Sequence, residues 1–296
     1  MRVTSSMMVT STLRDLSYGL RSLQHTQTQL TTGRQLVRAS DDPSAAATAM
    51  GLRQQMNRAT QRSRSLTDAQ GWLDTADATM TNSLDRLSRA KELAVRAANS
   101  GGLSDPSARQ AIALEVQAIR DDLLSMANTK YNGRSLFNGT ANGAAYDLNG
   151  LYLGNAAAVI RDIAPQTNMA VNTTGPQIFG VEGGPVGNMF EVLDRLATAI
   201  TTGNGAAIAA EHLNLDTASA VMMSATVGIG SRAARIFDIK SRADDEALRM
   251  KTQLSEIEDV DVVEALVRSK SQENAYQAAL QTTAKILPLS LLDFLR

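Results

Sequence analysis

The stretch that decides the fold is TGRQLVRASDDPSAAATAMGL, residues 32–52. An apolar, periodic segment leads into this stretch, and a short turn interrupts the pattern. Asp42 followed by Pro43 predicts a helix start, because an Asp side chain accepts hydrogen bonds from free backbone N–H groups and Pro has no N–H to leave unpaired. The predicted helix-start turn consists of Gly33, Ser40, Asp41, Asp42 and Pro43.

The segment before this turn predicts a helix with one apolar stripe. The stripe has the alternating three- and four-residue spacing of a coiled-coil seam, with one polar member. Its members are Leu13, Leu16, Leu20, Leu23, Gln27 and Leu30. A helix of this length is marginal alone in water, so its stripe needs a partner. That partner is either another segment of the same chain or another subunit.

The last twelve residues, KILPLSLLDFLR at 285–296, are strongly apolar. Left exposed, they would form a sticky surface, so we expect them to be buried at an assembly interface; a disordered tail is the alternative. Pro288 predicts a kink or an end of the helix here, because it lacks a backbone N–H. The C-terminal interface is predicted to contain Leu280, Leu287, Leu289, Leu291, Leu292, Phe294 and Leu295.

Long helices are predicted between these two ends. Their bounds are residues 43–98, Pro106 to about Asn128, Asn188 to a break at 203–205, and from that break to about Leu287. The first would be roughly 84 Å long at about 1.5 Å per residue. Its apolar stripe consists of Leu66, Ala69, Leu73, Ala76, Met80, Leu84, Leu87, Ala90, Ala94 and Ala97. The short connection before Pro106 predicts an antiparallel helical hairpin.

Residues from 133 onward have the composition of a β-rich insert. Fourteen of the 20 glycines lie between 133 and 230. Asn149–Gly150 is a strong signal for a β-hairpin turn. Short alternating runs that predict strands occur at 158–163, 168–172 and 177–181.

These patterns predict a mainly α fold, in which the N- and C-terminal segments form an elongated antiparallel helical rod or coiled coil that carries a small β-rich insert. The N-terminal axial helix, 1–42, is predicted to pair with a C-terminal axial helix, 262–296. The two parts of the rod are 43–132 and 187–261, and the outer insert is 133–186.

The charge is unevenly placed, although the formal net charge is only -1. Residues 1–64 contain nine Arg and three Asp, whereas residues 244–264 contain eight acids against Arg249 and Lys251. These are either two solvated helix faces or a basic arm that meets an acidic arm, within or between subunits. Because Tyr18 is the one aromatic residue of the basic arm, nucleic-acid binding is not expected.

No pattern for catalysis, a cofactor or a metal is present. The chain has no Cys, and His25 and His212 lack neighbouring ligands. The adjacent carboxylates at 41–42 and 244–246 are better explained by capping and solvated charge than by acid–base chemistry. The first residues are too polar for a signal peptide, and no apolar run is long enough to span a membrane. We therefore expect neither an enzyme nor a membrane-inserted protein.

Four segments together resemble the flagellin family of bacterial axial proteins. They are QTQLTTGRQLVRASDDPSAAATAMGLRQQ at 27–55, the region 88–140, VGIGSRAARI at 227–236 and the tail from 255 to 296. Within this family, Pro43 after the Asp pair, the EDVDVVEA stretch and the SLLDFL ending favour the branch that joins hook to filament. Filament flagellin is the alternative.

The resemblance implies a structural subunit that assembles with copies of itself between the first hook-associated protein and flagellin. It also implies pairing of both chain ends in the axial core. Such subunits are exported without a cleaved signal through the flagellar export apparatus, with an export chaperone, to an extracellular position. A secreted enzyme or sugar-binding module on the insert is a further alternative, but no convergent polar groups support it.

Overall fold

The computed structural model describes residues 5–99, 105–164 and 167–294, and it describes the side chains of these residues except for 5, 6, 8, 9 and 285–294. The predicted interface side chains of Leu287, Leu289, Leu291, Leu292, Phe294 and Leu295 therefore lie outside the described residues.

The described chain is mainly α-helical with two small antiparallel sheets, which confirms the predicted fold class. The helices are α1 (Ser5–Thr32), α2 (Pro43–Asn99), α3 (Pro106–Ala127), α4 (Gly175–Phe179), α5 (Met189–Thr202), α6 (Gly205–Glu258) and α7 (Val262–Phe294). The strands are β1 (Lys130–Tyr131), β2 (Arg134–Ser135), β3 (Ile160–Ala164) and β4 (Thr167–Ala170). None of these helices is long and apolar enough to cross a bilayer.

The chain forms two compact units. One combines Met1–Ala59 with Asp245–Arg296, and the other is Thr60–Asp244. We refer to them as the terminal unit and the central unit. The sequence analysis separates the terminal helices from the rod at 42/43 and 261/262 by their expected roles in assembly. That division stays a prediction.

Antiparallel helices form the central unit. Arg89 on α2 pairs with Glu115 on α3 at 2.8 Å, and Lys91 on α2 pairs with Asp216 on α6 at 2.8 Å. The predicted stripe of α2 is buried here, except that Leu84 is half-buried. Helix α6 contributes a buried residue to the core at every seventh position: Ile208, Leu215, Met222, Ile229 and Ile236. The predicted hairpin of α2 and α3 is therefore confirmed.

The insert packs around a cluster of aromatic rings rather than around a large sheet. Phe179 stacks on Phe190 with ring centroids 5.6 Å apart, and Tyr146 lies edge-on to both. The predicted turn at Asn149–Gly150 reverses the chain, with Tyr146 and Tyr152 in an isolated antiparallel bridge. β3 and β4 pair within or next to the predicted runs at 158–163 and 168–172.

The third predicted strand, 177–181, is wrong, because α4 occupies Gly175–Phe179. Thr174 and Gln177 form a reciprocal capping box, and Pro176 is placed at the helix start. These contacts satisfy the first backbone N–H groups and outweigh the alternating apolar pattern.

Two helix ends also differ from the sequence prediction. The long C-terminal helix does not continue unbroken to Leu287, since α6 ends at Glu258 and α7 begins at Val262. Asp261 caps the new helix by accepting from the N–H of Val263 at 2.9 Å. At Pro288 the helix does not end, because α7 continues to Phe294. A proline removes one backbone hydrogen bond, and the neighbouring bonds of a helix can persist around it.

Candidate assembly interface

The turn between α1 and α2 is held by its own carboxylates. Asp42 Oδ1 accepts from the N–H groups of Ala45 and Ser44, both at 2.9 Å, and from the Ser44 hydroxyl at 2.7 Å. The Ala45 N–H and then the Ser44 hydroxyl lower the pKa of Asp42 below its ordinary value. Asp41 Oδ2 accepts from the Arg38 N–H at 2.8 Å. Asp42 is thus the helix cap that the sequence predicts.

The same turn is joined to the connection between α6 and α7. The Val260 N–H donates to the Gly33 carbonyl at 3.0 Å, and the Gln35 N–H donates to the Glu258 carbonyl at 2.7 Å. Gly33 has φ of 69°, a left-handed conformation that favours glycine. Ser40 is exposed. These bonds fix where the two ends of the chain meet.

An ion pair crosses this meeting point. Arg53 Nη2 lies 2.7 Å from Glu258 Oε2, and the side chain of Glu258 is only 8% exposed whereas that of Arg53 is 48% exposed. Here a basic residue of the N-terminal arm meets an acid of the C-terminal arm within one chain, as one of the two charge interpretations predicts. Glu256, Asp259, Asp261 and Glu264 of the same arm are exposed in the single chain.

Helices α1 and α7 pack against each other in antiparallel directions. Gln272 donates to the Ser22 hydroxyl at 2.9 Å, and a Cβ at Gly19 would lie 3.6 Å from Cδ2 of Tyr276. As residue numbers rise along α1, those of its partners fall along α7. Leu23 is buried in this pair.

The face of α1 that meets α7 differs from the predicted stripe. Leu16, Leu23 and Leu30 are buried or half-buried, but Leu13 is 54% exposed and Leu20 is 39% exposed. Thr26 is buried, and Gly19 contacts α7 in place of the exposed leucines. The inward residues also follow a three- and four-residue spacing: Leu16, Gly19, Leu23, Thr26 and Leu30. The predicted stripe is thus divided between the face that meets α7 and the outer face of α1, and its role in contacts between subunits stays a prediction.

The outer faces of the pair carry many apolar side chains. They are Met7, Leu13, Tyr18 and Leu20 on α1, and Val262, Val263, Leu266, Val267 and Leu280 on α7. Leu280, a predicted interface residue, is 43% exposed. Gln29 is also buried, where its side chain donates to the Gln35 carbonyl of the turn at 2.8 Å. A helix pair with so many apolar groups on its outer faces is suited to further association.

The sequence offers contact between the basic and acidic arms as one alternative, but it does not identify the individual residues that make the polar contacts, namely Ser22, Arg53, Glu258 and Gln272. Isolated polar residues give no periodic signal, so pairing between residues 250 positions apart cannot be read from the pattern. Within the described ranges, no group of three or more His, Asp or Glu residues could hold a metal ion.

The paired terminal helices and the helical central unit define a structural protein built for assembly. Residues 3–142 match the bacterial flagellin N-terminal helical region, so this part of the chain is similar to the flagellin family. It is similar to Flagellar hook-associated protein 3 of Salmonella typhimurium, with 28% identity over 100% of both chains. The solved structure of a flagellar hook-associated protein from Vibrio parahaemolyticus has a similar fold, with a TM-score of 0.68 and 20% identity over 74% of this chain and 100% of that chain.

Flagellins match a smaller share of the chain. The flagellin of Bacillus subtilis is 29% identical over 47% of this chain and 46% of its own length. The full-length similarity is thus to a hook-associated protein, which does not support the filament alternative. The chain is a structural protein of the bacterial flagellum, and it is expected outside the cell, in association with copies of itself and other flagellar components.

Proposed function

We propose that this chain is the subunit that joins the flagellar hook to the filament, between the first hook-associated protein and flagellin. The observation that carries the proposal is the α1–α7 pair, which leaves many apolar side chains exposed on its outer faces. The full-length similarity to a hook-associated protein supports the position at the junction.

Assembly buries the outward faces of α1 and α7 against neighbouring subunits. Each Leu that becomes fully buried contributes about 1.5–3 kcal/mol, reduced in proportion to the area already covered. Burial of several such residues per subunit therefore favours assembly over the free chain. The subunit therefore acts by shape and apolar burial, and it performs no catalysis.

The route to this position is export through the flagellar apparatus without a cleaved signal peptide, in company with an export chaperone. Among the described side chains of α1 and α7, the buried apolar ones are Leu23 and Ala265, so the pair can open at low cost, which suits transport of an unfolded end. After export the ends pair again, and burial of their outer faces in the assembly stabilises the pair.

Replacing Leu13 and Leu20 by Ser tests this function. Both side chains are already exposed in the single chain, so the variant should keep the helical content and the unfolding midpoint of the unchanged protein. Attachment to purified hooks, seen by electron microscopy, should fall by at least about tenfold, because roughly 2 kcal/mol of burial is lost for each subunit.

The matched control is Leu148→Ser, since Leu148 is 85% exposed on the insert and far from α1 in sequence. This control should attach as well as the unchanged chain. Equal attachment by the Leu13 and Leu20 variant would contradict an assembly role for the outer face of α1.

A further inference from the structure

A cationic groove lies along α1 and the turn that follows it. It has a volume of about 640 Å³, and Arg21, His25, Thr28 and Arg38 are among the residues that line it. Arg21 donates to the carbonyl and hydroxyl oxygens of Ser17, which are neutral groups. A groove with two guanidinium groups at its edge favours an anionic occupant.

Neither guanidinium is neutralised by a carboxylate in the part of the chain that the structure describes. The ion pairs found there do not include Arg21 or Arg38. Asp41 accepts from the backbone N–H of Arg38, which leaves the Arg38 side chain to the groove. Positive charge at this position is therefore available to a partner.

The groove is on the side of α1 that faces away from α7. With 3.6 residues per turn, Arg21, His25 and Thr28 lie opposite the positions of Gly19 and Leu23, which face α7. The helix that pairs with α1 in the same chain consequently does not fill the groove.

A strongly acidic segment forms the end of α6, the start of α7 and the connection between them, whose backbone is bonded to Gly33 and Gln35 of the same chain. Residues 256–264, EIEDVDVVE, contain five acids and no base. Glu258 is buried against Arg53, whereas Glu256, Asp259, Asp261 and Glu264 are exposed. Asp261 accepts two backbone N–H bonds, and Glu264 pairs with Arg268 at 2.6 Å, but both carboxylates keep an outer side toward water.

We infer that the groove of one copy receives the acidic segment 256–264 of a second copy. This inference rests on the proposed function, because it names one of the contacts by which copies assemble. The groove and the segment are different surfaces, so the contact is head-to-tail, and repetition of it forms rings or helical arrays. Charge complementarity selects the second copy as the occupant and sets the register of docking.

Disulfide trapping tests the contact in the free full-length chain, and the absence of native Cys makes every trapped bond assignable. Copies with Thr28→Cys are mixed with copies with Val263→Cys and oxidised. The mixed disulfide should form about tenfold faster than with Leu148→Cys, an equally exposed position on the insert. High salt should remove most of this advantage, because it screens exposed charges.

Charge reversal provides the decisive comparison. Arg21→Glu with Arg38→Glu should slow trapping by roughly tenfold, whereas the same change at the exposed Arg58 and Arg64 should leave it unchanged. Glu256→Arg with Glu264→Arg in the other copy should restore the rate. A rate of disulfide formation that is unchanged by these charge reversals and by salt, or no disulfide formation at all, would overturn the contact. Hook attachment of the unchanged chain would still stand, so the two failures can be told apart.

Discussion

Replacing Arg53 by Met isolates the ion pair that joins the two ends of the chain. The substitution keeps most of the length of the side chain and removes its charge. Glu258 is then left with a nearly buried carboxylate, 8% exposed, without its cation. Breaking a fully buried pair costs about 3–5 kcal/mol, but Arg53 is half-exposed, so water compensates in part. We expect a loss of about 1–2 kcal/mol in the terminal unit.

Native-state hydrogen exchange is the suitable assay, because two compact units are not expected to unfold in one transition. The amides to follow are Gln35 and Val260, which donate to the Glu258 and Gly33 carbonyls across the meeting point. Their exchange should become faster by roughly 5- to 30-fold, while core amides of the central unit keep their protection.

Two further variants decide whether the cause is the unpaired charge. Arg58→Met alters an exposed arginine of α2 that has no carboxylate partner among the described residues, and it should change nothing. Arg53→Met combined with Glu258→Met should recover part of the loss, because no buried charge is left unpaired. A change of less than about 0.5 kcal/mol in the free energy of opening for Arg53→Met alone would refute the reasoning. The Arg53–Glu258 pair would then be no stronger than an ordinary exposed ion pair.

The remaining predictions concern the central unit. Gly150→Ala should destabilise it by about 1–3 kcal/mol more than Gly143→Ala, because both glycines have positive φ but only at Gly150 would the Cβ lie 2.8 Å from Phe190 Cβ; fluorescence of the one tryptophan during urea unfolding measures the difference, and equal losses would contradict the steric cause. Lys91→Met should raise the pKa of Asp216 toward its ordinary 3.8, because the hydrogen bond from Lys91 is the main cause of its lowered value. A lowered pKa in the folded state gives stability that is present above pH 3.8 and is lost as the pH falls through the folded value, so the variant should lose less stability on acidification. An NMR titration of Asp216 that the substitution leaves unchanged would contradict the assignment.

Local chemistry was predictable from the sequence. Asp42 before Pro43 and Asp105 before Pro106 each mark a helix start, because a cap and the next residues satisfy one another without help from the rest of the fold. The buried stripe of α2 was predictable for a similar reason, since its period holds through ten positions from Leu66 to Ala97 and fits one face of the helix.

The face of α1 was not predictable, because Leu16, Leu23 and Leu30 belong to both of two overlapping stripes. The identity and direction of the partner helix decide between them, and antiparallel α7 places Tyr276 beside Gly19. The break between α6 and α7 was not predicted, because the apolar pattern continues through it. Asp261, which caps the new helix, sets the start of α7. Both cases depend on contacts that periodicity does not encode.

Electron microscopy of the purified chain tests the central claim most directly. The protein is incubated alone and with hook-bearing flagellar bases from which the filament has been removed. A short zone that saturates at the hook tip and then accepts flagellin is the predicted result. Long filaments from the chain alone would identify a filament flagellin instead, and failure to attach to hooks would contradict the junction role.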